Sequence, residues 1–196
     1  MENLLLGQAT KLVEAMDKTV DDNLPQNIAD IIKFHSKGAA VAALASAWVP
    51  GAGGVAAIAI CAGFIWTMYG KIGAEIGLPI SKNILKSLAS GVATNIASSI
   101  VGAIAISTAF SIFPGLGNIG SSVIMGGTSY AMTLASGYVY LKIMTELFSK
   151  GIDPTTLSEQ ELKNIAKTVA NDSDVKDVLK RAKEEFKSKN EQGEFK

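Results

Sequence analysis

The residues of this chain whose types and spacing could act on a phosphate are three glycines. Gly115-Leu116-Gly117-Asn118-Ile119-Gly120 spells GxGxxG, a turn whose backbone can approach a pyrophosphate at a helix N-terminus. That chemistry needs a strand before the turn and an acid about 20 residues after it, to hold a ribose hydroxyl. The preceding segment is patterned as a helix, and no Asp or Glu lies between Ser87 and Ile143. The glycines are better read as a tight turn between closely packed helices.

Other chemistry is equally poorly supplied. His35 is the only histidine, which excludes a multi-histidine metal site and leaves a structural role. Cys61 is the only cysteine, so no intrachain disulfide can form, and it reads as a small buried hydrophobe. Ser and Thr are abundant in the middle of the chain, but no base lies near in sequence to activate one. No G-x-x-x-x-G-K-[ST] occurs. The chain is therefore expected to be non-enzymatic, without cofactor or metal. With 18 basic and 18 acidic residues it gives no reason to expect nucleic acid as a partner.

Charge is absent where it would ordinarily be spread. Ser87 to Leu141 holds no charged side chain over 55 residues, and Gly38 to Gly70 none over 33. The ends are charged and the middle is not, which divides the chain into residues 1–37, 38–150 and 151–196. Met1–Gly7 has Leu4–Leu6 but no basic start and no cleavable small-residue site. The chain is expected to meet a membrane from the cytoplasmic side.

The elements follow from periodicity. Leu5, Leu12, Val13, Met16 and Val20 recur at helical spacing over 3–22, and Asn23-Leu24-Pro25 breaks that helix. Ile28, Ile31, Ile32 and His35 carry the next helix into the first apolar run, as far as Pro50-Gly51-Ala52-Gly53. A helix resumes near Val55 and reaches Tyr69, and Gly70 to Pro79 reads as a joint. Ser81 to Phe113 is one long helical pattern, broken by Pro114-Gly115-Leu116-Gly117. The last apolar helix spans about Ile119 to Phe148. In the tail, Ser158 and Glu161 form a capping box, and a further helix over about Asp174–Lys189 carries a stripe of Val175, Val178, Leu179, Ala182 and Phe186. Asn190 to Lys196 is expected to fray. The fold class is all-α: two hydrophobic helical hairpins with Pro-Gly-x-Gly turns, flanked by amphipathic N- and C-terminal helices.

A shift of 64 residues superposes the two Pro-Gly-x-Gly turns, Pro50, Gly51 and Gly53 falling on Pro114, Gly115 and Gly117. Met68 then falls on Met132 and Gly73 on Gly137, as in an internal repeat. With both turns at one end of a bundle, every charge of the middle section lies at the other, from Lys71 and Glu75 to Lys142 and Lys150. Hairpins dipping into a bilayer from the cytoplasm would give that asymmetry. Ser87–Phe113 and Ile119–Leu141 are long enough to span, whereas Gly38–Val49 and Val55–Tyr69 fit a re-entrant or interfacial hairpin. Small residues recur at i,i+4, in Ala89, Ala93 and Ala97 and in Gly73 with Gly77. They suit close helix packing and self-association into a homo-oligomer. The competing reading is a soluble bundle whose tails wrap an apolar core.

Between Asp30 and Lys150 the order of residues resembles the helical family called domain of unknown function 697. The resemblance is carried by Ile31-Ile32, His35, Ala39-Ala40, Val49-Pro50-Gly51, Met68-Tyr69, Ile72-Gly73, Gly77, Phe113-Pro114-Gly115, Gly117, Tyr130-Ala131 and Gly137. Members often carry an acid soon after the first proline-containing turn and a polar residue in the following helix. Gly53–Ile65 here is wholly apolar or small. The resemblance implies a membrane-associated helical domain that occurs alone or after GTPase domains, so a GTPase is a possible partner. It implies no catalytic residues. The expected function is a membrane-associated, non-enzymatic helical protein with a lipid bilayer as its main partner. The alternative is a cytoplasmic adaptor that binds a partner such as a GTPase and can insert into membranes.

Overall fold

The computed structural model describes residues 27–46, 53–78, 81–107 and 119–195, with side-chain surroundings described over 27–45, 60–78, 81–96 and 123–195. These residues are all-helical, without a strand among them. They form α1 (Ile28–Ser46), α2 (Gly53–Glu75), α3 (Lys82–Ser107), α4 (Ile119–Ser149), a single 3-10 turn (Pro154–Thr156), α5 (Glu159–Ala170) and α6 (Ser173–Glu191). The expected N-terminal helix over 3–22 lies outside the described residues, as do Pro50, Gly51, Pro114, Gly115 and Gly117.

Helix α4 is the axis of the molecule, and α1, α2, α3, α5 and α6 all pack against it. From Gly126 to Gly137 every residue but the half-buried Thr128 is buried. A helix enclosed on all sides has no face on which a charge could keep its hydration. That accounts for the α4 part of the uncharged run without requiring lipid. Small residues let the neighbours approach. Ile32 of α1 sits at Gly137 and Leu44 at Gly126, so α1 runs antiparallel to α4. Phe186 sits at Gly127, and Asp174 lies beside Tyr138 and Lys142, so α6 is antiparallel as well. Helix α2 runs parallel to α4. Cys61 faces the carbonyl of Ser129, and the Tyr69 hydroxyl donates to that of Ser136 at 2.9 Å.

Helix α2 does not stop at Tyr69. Ile65, Met68, Ile72 and Ile76 continue to bury one face, so the helix runs on to Glu75. It ends in a Schellman motif. The Leu78 N–H donates to the Gly73 carbonyl at 2.9 Å and the Gly77 N–H to that of Ala74 at 3.1 Å. Gly77 takes a φ of +69° to close it, with nothing within 4 Å of where a Cβ would lie.

The tail is built into the body. The Ser158 capping box is present, and α5 lies on α3 with Lys163 and Ala166 against Gly91. The stripe of α6, from Val175 to Phe186, is buried in the same core cluster as α1 to α4. The expected fraying of 190–196 is not what 190–195 do. Gly193, at φ +86°, closes α6 with bonds to Asn190 and Lys189 and turns the chain inward. Phe195 is then buried against Tyr130 and Phe186, with ring centroids 5.8 and 4.7 Å away. Burial of that aromatic ring, worth roughly 2 kcal/mol, offsets part of the cost of ordering the terminal segment.

Candidate functional site

The surface that needs explaining is the outer face of α1 and α2. On α1, Ile28, Ile32, His35, Ala39, Ala40 and Ala43 are buried, which turns Phe34, Lys37 and Val41 outward. On α2, Cys61, Ile65, Met68, Tyr69 and Ile72 face the core, which turns Gly63, Trp66, Thr67 and Lys71 outward. Large apolar side chains are left in solvent: Phe34 is 67% exposed, Val41 45% and Trp66 40%. Scattered exposed apolar residues are ordinary, but these three are large and lie on one helix pair.

The two helices are antiparallel and close together. A Cβ at Gly38 would lie 2.6 Å from the Phe64 ring, so the missing side chain lets that ring lie across α1. One turn and more along, the Lys71 ammonium stands 5.2 Å from the centre of the Phe34 ring, a cation–π contact. Lys33 and Lys37 border the same face on the side of α6, where they reach Glu185 at 3.9 Å and Glu194 at 3.4 Å. Phe34 thus has the Lys71 ammonium beside it, while Lys33 and Lys37 turn to the carboxylates of the tail.

Beneath it His35 packs edge-on to Phe34, centroids 5.3 Å apart, and its Nδ1 lies 2.6 Å from the Ile31 carbonyl oxygen. Burial holds its pKa below the usual imidazole value. The bond to Ile31 opposes that shift, and the charge of Lys71 adds to it. The ring is therefore neutral near pH 7 and donates its Nδ1 proton to Ile31.

Between α2 and α4 runs a polar seam of Cys61, Ser129, Thr133, Ser136, Tyr69 and Tyr140. Tyr69 and Tyr140 stack at 4.3 Å. Both phenols are pushed up by burial and stay neutral. Burial likewise pushes the Cys61 thiol up, away from nucleophilic thiolate. The hydroxyls of Ser129, Thr133 and Tyr140 are buried without a hydrogen-bond partner among the described residues. None of these groups is set beside a base.

A second charged cluster joins tail to body. Lys142 on α4 reaches Asp172 at 2.8 Å and Asp174 at 2.6 Å, and the Tyr138 hydroxyl donates to Asp174 at 3.0 Å. Burial opposes the Lys142 charge, but the two carboxylates outweigh it and raise the ammonium pKa. Of the lysines expected at the cytoplasmic base of the hairpins, Lys33, Lys37 and Lys142 are thus engaged by the tail.

The residues singled out from sequence are distributed differently. Gly53 opens α2, and its surroundings lie outside the described residues, as do those of Ala97. Ala89 and Ala93 are buried in the core of their own chain. A Cβ at Gly73 would lie 3.3 Å from the Leu78 carbonyl oxygen and 3.8 Å from the Tyr140 hydroxyl, whereas Gly77 is a helix cap with open space where a Cβ would be. Phe34, Val41 and Trp66 were not among the sequence candidates. Their signal was their position opposite the buried stripes of α1 and α2. Among the described residues no helix is long and apolar enough to cross a membrane. The expected span over Ile119–Leu141 fails because its Gly, Ser, Thr and Tyr residues dilute its hydropathy. Comparison with protein-family models, with curated proteins and with solved structures finds no match to this chain.

Proposed function

We propose that this protein is a non-enzymatic helical bundle that binds the cytoplasmic surface of a lipid bilayer through the outer face of α1 and α2. The observation that carries this reading is the exposure of Phe34, Val41 and Trp66 on the outer sides of α1 and α2, with the Lys71 ammonium beside Phe34. Aromatic side chains favour the headgroup level, and ammonium groups favour anionic lipid. Self-association would use this outer face, since Ala89 and Ala93 are occupied within the chain.

Flotation with vesicles containing about one-third anionic lipid tests the reading. The protein should float, Trp66 emission should shift to the blue, and Phe34→Asp with Trp66→Asp should abolish both. Failure of the unmodified protein to float with neutral or anionic vesicles would sink the proposal.

A second reading is favoured by the docking of α5 and α6 into the common core. It is an adaptor whose charged outer helices bind a protein partner such as a GTPase. Deletion of Ser158–Lys196 bears on it: the truncated chain should aggregate if the tail is the cover of the core, and should survive in detergent if lipid is. A place in the domain of unknown function 697 family would agree with either reading, since that domain occurs alone or beside GTPase domains.

A further inference from the structure

We propose that α2 is a releasable helix: in mild acid, protonation of His35 loosens its contact with α1, and it parts from α4 along a polar seam. This rests on the reading of the outer face of α1 and α2 as the lipid-binding surface, and supplies its regulation.

The trigger lies between α1 and α2. His35 is the only histidine and is 3% exposed. Its neutral ring donates from Nδ1 to Ile31. Protonation adds an N–H at Nε2, for which the described residues offer no acceptor. The Phe34 ring would then stand between two cations, with the imidazole centroid at 5.3 Å and the Lys71 ammonium at 5.2 Å. No counter-charge waits nearby. On α1, Asp30 lies about 140° round the helix from His35, and Lys33 and Lys37 are held by Glu185 and Glu194 of the tail. Lys189 of α6 is turned to Glu185 as well. On α2, Glu75 follows Lys71 by one turn, level with the start of α1. Helix α4 has no charged side chain before Lys142, and the phenols of Tyr69 and Tyr140 stay neutral.

The seam makes α2 the helix that leaves. Ser129, Thr133, Ser136 and Tyr140 recur at i, i+4, i+7 and i+11 on α4 and form its side toward α2. The hydroxyls of Ser129, Thr133 and Tyr140 are buried there without a hydrogen-bond partner among the described residues. A buried hydroxyl without a partner disfavours the closed state, and water reaching it removes that penalty. The sides of α4 toward α1 and α6 are apolar, with Ile32 at Gly137 and Phe186 at Gly127, so parting there would only expose apolar surface. Against release stand the Tyr69–Tyr140 stack and the Tyr69 bond to Ser136. Once free, α2 would add Ile65, Met68, Ile72 and Ile76 to the exposed Trp66 and Lys71, an interfacial helix in composition.

The test follows amide exchange of the full chain without lipid, corrected for the intrinsic rate. One pH unit below the ordinary imidazole value of 6.5, an opened state that takes up the proton is favoured about tenfold. Amides of 60–76 should therefore lose about tenfold protection between pH 7.4 and 5.5, while 126–137 keep theirs. His35→Gln should show no such loss. Ser129→Ala with Thr133→Val, which removes two of the unpartnered hydroxyls, should raise the protection of 60–76 at both pH values. Lys71→Gln should raise the pH at which the His35 ring titrates by NMR. Unchanged protection of 60–76 in the native protein would overturn the proposal. So would an equal loss in His35→Gln, equal losses in 60–76 and 126–137, lower protection in the Ser129/Thr133 variant, or an unmoved His35 titration in Lys71→Gln. Vesicles with about one-third phosphatidylglycerol separate this inference from the membrane reading. The lipid concentration for half-flotation should fall several-fold from pH 7.4 to 5.5 in the native protein and stay level in His35→Gln. If α2 opens in acid but the protein floats at neither pH, release stands and lipid binding falls. If it floats equally at both and α2 stays protected, lipid binding stands and release falls.

Discussion

Ile32 occupies the space that Gly137 leaves empty: a Cβ at 137 would lie 2.8 Å from both Cγ1 and Cγ2 of Ile32. Ile32 is fully buried and branched, so it has no flexible end to move aside. Gly137→Ala should therefore destabilise the bundle by about 1–3 kcal/mol, even though Ala is worth about 1 kcal/mol more than Gly in a helix. Ile32→Ala, which removes both γ carbons, should recover part of that loss. A double-mutant cycle by urea denaturation measures the coupling, and strict additivity of the two changes would contradict the contact.

Phe186 plays the corresponding part for the tail. A Cβ at Gly127 would lie 2.9 Å from its ring, and its ring centroid lies 5.9 Å from that of Tyr130. Phe186→Ala should cost about 3–5 kcal/mol, the range for a fully buried phenylalanine. Phe195→Ala should cost less, because the ring is at the chain end and can be lost with local unfolding. Amide exchange should show opening confined to the end of α6 in the second variant. Protection of 186–195 equal to that of unfolded chain would contradict the docked terminus.

Lys142 holds α6 to α4 through two carboxylates that are 39% and 41% exposed. Solvent screens such a pair, so Lys142→Met should cost only about 1 kcal/mol. The effect should shrink as salt is raised toward 1 M. A loss that does not change with salt would assign the role of Lys142 to the packing of its stem.

His35 gives the molecule a dependence on acid. Its folded pKa lies below the unfolded value of 6.5, so the unfolded state takes up the proton first. The stability it contributes is present above about pH 6.5 and is lost as pH falls through the folded pKa. Asp174, whose pKa lies below the usual 3.8, adds its own loss only in stronger acid. Thermal melts between pH 7.5 and 5 should therefore fall for the native protein and stay level for His35→Gln. Parallel curves for the two would contradict the buried neutral ring.

Much of the architecture was legible because it rests on local pattern. The capping box at Ser158 and Glu161 fixed the start of α5, since both partners lie within one turn. The stripe from Val175 to Phe186 identified the buried face of α6. The end of α2 was not legible. Gly70 and Gly73 resemble breakers in sequence, but Gly73 packs near Tyr140, a residue far along the chain. The candidate face was hidden for the same reason. Phe34 and Trp66 sit in apolar runs, where nothing local says which side of the helix a neighbour will take.

The sequence alone determined that this chain is helical, where α5 begins and which residues the tail buries, because caps and periodicity act within a few residues. It also showed a middle without charge, but not the reason for it. Only the tertiary arrangement decided that α4 is enclosed by protein from Gly126 to Gly137, and that Lys33, Lys37 and Lys142 are held by the tail. Phe34, Val41 and Trp66 were left in solvent by the same arrangement. Burial belongs to pairs of surfaces: a side chain's environment is set by whichever element packs beside it, and that element lies elsewhere in the chain.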